Sequence, residues 1–151
     1  MMKAITWLAA APAIAIVLSA QSFAKESWMT DLDKAIAEAG KENKSVLVEF
    51  TGSDWCPPCI AMRKNVFSKK EFTEAASKKF VLVELDFPKK DKELAEKNQP
   101  LAEKYKIEGY PTVILLDSKG EEFTRFFASQ YPTVEAFLAH LDDALEKKDM
   151  D

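Results

Sequence analysis

The sequence predicts an α/β domain in which helices flank both faces of a central mixed β-sheet. Short apolar runs rich in β-branched residues alternate with stretches of helical periodicity, as in parallel strands joined by crossover helices. A turn sequence at residues 117–120 separates the third run from the fourth and predicts a hairpin. The predicted order of elements is therefore α-β-α-β-α-β-β-α, with no internal repeat and no linker long enough to separate two domains.

Four strands are predicted from apolar runs, at residues 46–50, 80–87, 112–116 and 121–127. The first run is apolar except for Glu49, which is typical of a strand covered on both faces. The third and fourth runs are joined by the hairpin, so we expect them to pair in antiparallel orientation.

The first helices are predicted from residues that resemble capping boxes. Residues 30–33 open a helix with apolar residues at helical spacing, and Gly40 is expected to end it. A second helix is expected to begin at Cys56. Residues 68–71 resemble another capping box and open a third, short helix.

Two later helices are predicted from composition and periodicity. Residues 89–104 are highly charged, and Pro100 is expected to kink or split the helix that they form. The last helix begins at Pro132 or Thr133 and carries one apolar stripe. Its charged tail, residues 146–151, is expected to fray.

The first 24 residues have the three-part layout of a secretory signal peptide. Lys3 precedes the apolar residues 4–18, and the small residues Ser22 and Ala24 predict cleavage after Ala24. An uncleaved membrane anchor is the alternative, but this apolar stretch is shorter than the ~20 residues that span a bilayer. We therefore expect a single domain at residues 25–151, in an oxidising compartment that is periplasmic or secreted.

Composition excludes several classes of protein. The 151 residues carry a net charge of −4, which argues against nucleic-acid binding, since such domains normally have a basic face. Two cysteines and one histidine cannot supply four zinc ligands, and no pattern indicates a cofactor or another metal. We expect a monomer for a chain of this size and charge.

The chemistry is expected at the sequence WCPPC, which lies between a buried type of strand and a helix. Cys56 at a helix N-terminus would meet unpaired backbone N–H groups and the positive end of the helix dipole, which both favour its thiolate. Cys59 lies one turn later on the same side, so the two can close a small disulfide. The alternatives are a structural disulfide, half of a metal site shared between two chains, and a chance pair. Redox chemistry is favoured because so short a loop gains little stability from a structural disulfide.

Three motifs together resemble the thioredoxin family: VLVEF at residues 46–50, WCPPC at residues 55–59 and GYPT at residues 109–112. The resemblance extends over about residues 44–147, which is most of the chain after the signal peptide. It implies a thioredoxin-like fold with a redox-active disulfide.

The resemblance also implies roles for individual residues. Cys56 resembles the exposed attacking cysteine and Cys59 the shielded resolving cysteine. Pro111 resembles the cis-proline of the family, which would bring the Tyr110 backbone beside the sulfur atoms, where an extended substrate can pair with it. Trp55 is expected to cover the sulfur pair and to face the substrate; ordinary packing is the alternative.

Glu49 resembles the buried acid that lies beneath the resolving cysteine in this family. A single carboxyl group within an apolar strand is costly unless it is paired or protonated, so we expect burial to raise its pKa. That would suit proton transfer to and from Cys59. The alternative is a solvated carboxylate on an edge strand. The sequence departs from the family in having Glu instead of Asp, a longer loop before Cys56, and Pro57 instead of Gly.

The aromatic residues of the C-terminal third are assigned to packing. Tyr131 and the pair Phe126 and Phe127 are expected in the core or on a face of the sheet, and His140 on the surface.

The predicted activity is thiol–disulfide exchange with protein cysteines, through a mixed disulfide that Cys56 forms and Cys59 resolves. Two prolines between the cysteines offer no side-chain donor, and Asp54 lies nearby, so a strongly stabilised thiolate is disfavoured and the reducing direction is favoured. An exported reductant would need a membrane electron donor. The alternatives are a non-catalytic binding or chaperone module, and an oxidase or isomerase that donates disulfides.

Overall fold

The computed structural model describes residues 28–151, so the predicted signal peptide at residues 1–24 lies outside the described part of the chain. Among residues 28–151, the five predicted helices and the four predicted strands follow one another along the chain, and two short helical turns that were not predicted are added to them. The helices are α1 (Leu32–Glu42), α2 (Pro57–Met62), α3 (Lys70–Ala76), α4 (Lys92–Lys104) and α5 (Val134–Met150). The strands are β1 (Ser45–Thr51), β2 (Phe80–Asp86), β3 (Thr112–Leu116) and β4 (Glu122–Phe127). A π-helical turn (Arg63–Phe67) continues α2, and a 3₁₀ turn (Ala128–Gln130) precedes α5.

The four strands form one mixed sheet in the order β2-β1-β3-β4. Strand β1 is parallel to β2 and antiparallel to β3, and β3 pairs with β4 through the predicted hairpin. Every residue of β1 is buried, because the strand lies in the interior of the sheet with helices over both faces. The predicted fold class is therefore confirmed.

Each face of the sheet carries its own apolar core. One core joins the odd-numbered residues of β1 to α2, the π-helical turn, α3 and α5, through Leu47, Met62, Val66, Phe72 and Phe137. The other joins the even-numbered residues to α1 and α4, through Val46, Val48, Leu32, Ala35 and Ala102. Since successive side chains of a strand point to opposite faces, Glu49 belongs to the face that α2 covers.

The first helix begins and ends later than predicted. Asp31, not Thr30, is its N-cap, and its carboxylate accepts a hydrogen bond from the Lys34 N–H at 3.1 Å. The helix continues through Gly40 and ends at Asn43, which adopts a left-handed conformation with φ of 53°. Asparagine tolerates this conformation, so it can end a helix where a preceding glycine does not.

The other predicted helix ends also need correction. Helix α3 has Lys69 as its N-cap instead of Ser68, whose hydroxyl donates to the Lys64 carbonyl at 3.4 Å and so belongs to the preceding π-helical turn. Helix α4 begins at Lys92 and is continuous through Pro100.

Helix α5 extends to Met150, so the predicted fraying of its tail is wrong. An ion pair between Lys147 and Asp143, one turn apart at 2.8 Å, lies in this last part of the helix. Among residues 28–151, no helix combines the length and the apolar composition needed to cross a membrane.

Candidate active site

The two cysteines lie at the start of α2, where the chain leaves the buried strand β1. Cys56 is the N-cap of the helix and Cys59 completes its first turn, with their Cα atoms 5.2 Å apart and their sulfur atoms joined in a disulfide. Pro57 and Pro58 occupy the first two helical positions. An N-cap side chain accepts hydrogen bonds from the N–H groups of the second and third helical positions. Because the second is Pro58, only the Cys59 N–H remains as such a donor to Cys56.

Both cysteines are buried in the disulfide form. Cys56 is 4% exposed and Cys59 is 1% exposed, so the exposed Cys56 that the family resemblance implied is not found. The Cys59 sulfur accepts a hydrogen bond from the Gly52 N–H at 3.4 Å.

Trp55 is held in place by the loop that follows β2. Its indole N–H donates to the Phe87 carbonyl at 2.7 Å, and its ring meets the edge of the Tyr110 ring at a centroid distance of 5.6 Å. The ring also packs on Gly52 so closely that a Cβ atom there would lie 2.4 Å from it. One side of the ring remains exposed, with the Lys89 ammonium 5.3 Å from its centroid.

Asp54 links the loop before Cys56 to the loop that follows β2. Its carboxylate accepts hydrogen bonds from the backbone N–H groups of Lys89 and Lys90, each at 2.9 Å. These hydrogen bonds lower the pKa of Asp54, so the carboxylate is ionised at neutral pH. It adds a negative charge two residues before Cys56.

Tyr110 and Pro111 form the loop that leads into β3, and the peptide bond between them is cis, as the resemblance implied. The Pro111 carbonyl accepts the Ala128 N–H at 2.9 Å, and the Thr112 hydroxyl donates to the Gly109 carbonyl at 2.6 Å. The Tyr110 ring contacts Trp55, so the structure brings this loop beside the cysteine motif.

Glu49 is fully enclosed, with 2% of its surface exposed. Because β1 lies between β2 and β3, the edge-strand alternative is wrong. Burial raises the pKa of its carboxyl from 4.5 to about 8; the charge of Glu84 adds to the effect, and that of Arg63 opposes it. Glu49 is therefore predominantly protonated at pH 7, on the face of the sheet that α2 covers.

The residues around Glu49 were not identified from the sequence as part of the site. Glu84 is the register partner of Glu49 on β2, and Arg63 forms an ion pair with Glu84. The visible signal was the presence of two acids, Glu84 and Asp86, within the apolar run of β2. Their position beside Glu49 depends on strand register, which composition does not reveal.

The predicted packing of the other aromatic residues is confirmed only in part. Phe126 and Tyr131 pack against the core, and Phe127 lies in strand β4 on an exposed part of the sheet. His140 is not a simple surface residue: its ring stacks on Tyr131 at 3.9 Å and meets Phe126 at 4.4 Å. Its Nε2 atom is buried without a hydrogen-bond partner among the described residues, and burial lowers its pKa.

The fold and the cysteine pair define a thioredoxin-like protein. Residues 27–118 match the family described as thioredoxin-like, and the chain belongs to that family.

Two curated relatives and one solved structure show where the similarity lies. The disulfide bond reductase DsbH of Chlamydia pneumoniae is 35% identical over 95 residues, which cover 61% of this chain and 57% of DsbH. The thiol:disulfide interchange protein DsbD of Vibrio cholerae is 29% identical over 123 residues, which cover 79% of this chain and 19% of DsbD. A solved structure titled DsbH Oxidoreductase has a TM-score of 0.70 at 30% identity, covering 80% of this chain and 84% of that one. The chain thus spans just over half of DsbH and about a fifth of DsbD.

The burial of Glu49 predicts a pH-dependent loss of stability that Glu49→Gln removes. The folded state binds this proton more tightly than the unfolded state, so the carboxyl destabilises the fold as pH rises from about 4.5 to about 8. In that window the variant should gain stability relative to the wild type, by up to about 1.4 kcal/mol per pH unit. Urea unfolding at several pH values measures the difference. The exposed Glu38→Gln is the matched control, and a constant difference between Glu49→Gln and wild type would contradict the expectation.

Proposed function

We propose that this protein is a thiol–disulfide oxidoreductase that acts on cysteines of other proteins, in the reducing direction. The observation that carries the proposal is the Cys56–Cys59 disulfide at the start of α2, beside the Tyr110–Pro111 loop and on the same side of the sheet as the buried Glu49. The printed name of the relative DsbH, a disulfide bond reductase, supports the same activity and direction.

The reaction begins with the reduced protein. The Cys56 thiolate attacks one sulfur of a substrate disulfide, forms a mixed disulfide and releases the other substrate sulfur as a thiolate, which takes up a proton. Cys59 then attacks the Cys56 sulfur, which closes the Cys56–Cys59 disulfide and releases the second substrate thiolate. Two electrons pass from the protein to the substrate.

We propose that Glu49 accepts the proton of Cys59 during the second attack, in the fraction of molecules whose Glu49 carboxyl is ionised. Its pKa of about 8 is close to the ~8.5 of a free thiol, so transfer between the two groups requires little free energy in either direction. The carboxylate of an ordinary exposed glutamate would be a weaker base, because its conjugate acid has a pKa near 4.5. The burial of Glu49 therefore gives it the proton affinity that this step needs.

The helix start supports the reducing direction. A strong oxidant stabilises the thiolate of its attacking cysteine, whereas Pro58 here removes one of the two N–H groups that could donate to Cys56. The ionised Asp54, two residues earlier, disfavours a second negative charge nearby. A thiolate with less stabilisation makes the reduced form a better electron donor.

Exposed apolar residues supply a surface for a protein substrate. Trp55, Ile60 and Phe127 are exposed, and the Phe127 ring packs beside Gly109, next to the Tyr110–Pro111 loop. Within residues 28–151, the backbone of Tyr110 forms no hydrogen bond with another backbone group, so it is open to an extended segment. Such a segment would pair with Tyr110 and bring its own sulfur to Cys56.

The compartment proposed is outside the cytoplasmic membrane, after cleavage at Ala24, on the strength of the signal-peptide pattern. An exported reductant has no soluble electron pool to draw on, so we propose a membrane protein as its electron donor. The acidic net charge and the absence of a basic pattern in the sequence argue against nucleic acid as a partner.

Single cysteine variants should separate the two steps. Cys59→Ser should accumulate mixed disulfides with protein substrates, because Cys56 attacks but cannot be released. Cys56→Ser should trap little, and both variants should lose reduction of insulin with dithiothreitol as donor. Non-reducing gels and the insulin assay measure these outcomes. Equal trapping by both variants would contradict the division of roles, and a wild type inactive on insulin would favour a binding module.

The reduction potential should lie between about −270 and −200 mV, towards thioredoxin and away from the strong oxidants near −120 mV. Pro58→Ala restores an N–H donor to the Cys56 thiolate and should raise the potential by about 30 mV or more, since a hydrogen bond to a charged group contributes ~1.5 kcal/mol. Pro57→Ala is the matched control, because the N–H of the first helical position does not point at the cap. Equilibration with glutathione measures the reduction potential of the wild type and of both variants. A wild-type value near −120 mV would overturn the reducing direction.

Export should yield a shortened protein. Expressed from its full sequence in a bacterial host, the protein should be recovered from the periplasm with Lys25 as its first residue. Intact-mass spectrometry measures this, and retention of Met1 in the recovered protein would contradict the signal peptide.

A further inference from the structure

Four ionisable side chains come together on the side of the sheet that α2 covers. Glu49 is aligned with Glu84 and Thr51 with Asp86 across the parallel strands β1 and β2, so the three carboxyl groups share one face. Arg63, from the π-helical turn above that face, forms an ion pair with Glu84. We call Glu49, Glu84, Asp86 and Arg63 the Glu49 cluster.

The Arg63–Glu84 pair is more exposed to solvent than Glu49. Glu49 is 2% exposed, whereas the side chain of Glu84 is 22% exposed and that of Arg63 is 48% exposed. Asp86 has separate partners, because it accepts hydrogen bonds from the Ser53 N–H at 3.0 Å and from the Ser53 hydroxyl. Arg63, the cation of the Glu49 cluster, is therefore paired with Glu84, which is the register partner of Glu49.

The two members of the ion pair act on Glu49 with opposite sign. A negative charge beside a carboxyl group favours its protonated form, and a positive charge favours its ionised form. After burial, which is the largest effect, the groups that act on the pKa of Glu49 are Glu84 and Asp86, which raise it, and Arg63 and the Thr51 hydroxyl, which lower it. The register partner on the other side, Val113 of β3, is apolar.

We propose that Arg63 and Glu84 are positioning residues that set the pH at which Glu49 exchanges a proton with Cys59. The inference rests on the proposed function, in which Glu49 serves Cys59. Both residues act through their charge on Glu49. Loss of either member of the ion pair leaves the charge of the other uncompensated beside the buried carboxyl. The two losses should therefore shift the titration midpoint of Glu49 in opposite directions.

Opposite shifts are the expected result of two single substitutions. Arg63→Gln leaves the Glu84 charge unopposed and should raise the titration midpoint of Glu49. Glu84→Gln leaves the Arg63 charge unopposed and should lower it. The partial exposure of the pair screens its charges, so each shift should be about 0.5 to 1 pH unit. Carbon-13 NMR of the Glu49 carboxyl in the oxidised protein measures both, with Glu49→Gln identifying the signal.

Three variants provide controls for the charge changes. Arg63→Lys keeps the positive charge and should retain a midpoint close to that of the wild type. Lys79→Gln removes a positive charge and Asp142→Asn removes a negative charge from an exposed ion pair just before β2. Neither substitution should shift the titration midpoint of Glu49. A general loss of packing or stability would not give shifts of opposite sign.

A second measurement links the cluster to the reaction. The pH profile of insulin reduction should shift to higher pH with Arg63→Gln and to lower pH with Glu84→Gln, in parallel with the titration midpoint of Glu49. Shifts of the Glu49 midpoint that are absent or of equal sign overturn the proposal, even where insulin is reduced normally. Opposite midpoint shifts with an unmoved pH profile overturn the link to Cys59. Opposite midpoint shifts in proteins that all fail to reduce insulin support control of Glu49 by the pair and overturn the proposed function instead.

Discussion

The burial of one carboxyl group within the sheet is the constraint on which the rest of the site depends. Glu49 lies in a strand whose every residue is buried, so its ionised form is costly and its pKa rises to about 8. An aliphatic residue at this position would fill the space at lower cost and would carry no proton. The fold thus contains an acid that lowers its stability at neutral and higher pH, on the side of the sheet that α2 covers.

The cysteines are positioned by tertiary contacts and not by a capping side chain. Helix α2 has no side-chain hydrogen bond at its N-cap, and its first two positions are prolines. The loop before Cys56 is instead fastened to the loop after β2, through Asp54 on two backbone N–H groups and the Trp55 indole on the Phe87 carbonyl. Since both loops follow adjacent parallel strands, the sheet itself fixes the place where the sulfur atoms lie.

Where the sequence-based predictions fail, a contact distant in sequence or a competing local bond explains the difference. The first helix passes Gly40 because Asn43 supplies the left-handed residue that ends it. The capping pattern at Ser68 is unused because that hydroxyl bonds the preceding turn. His140 faces the aromatic ring of Tyr131, which comes from the segment before α5, so helical periodicity alone did not place it.

The sequence by itself determined the strands, the order of the elements, the cysteine pair and the presence of a carboxyl group in a buried strand. These features follow from local patterns: alternation of apolar residues, helical spacing, turn residues and the spacing of two cysteines. The tertiary structure alone decided that Glu84 lies beside Glu49, that Arg63 compensates Glu84, and that Trp55 is bonded to Phe87. Those contacts depend on the register of β1 against β2, and a shift of one residue would turn the side chains of a strand to the opposite face. Register is set by packing across the whole sheet, so no local pattern of residues specifies it.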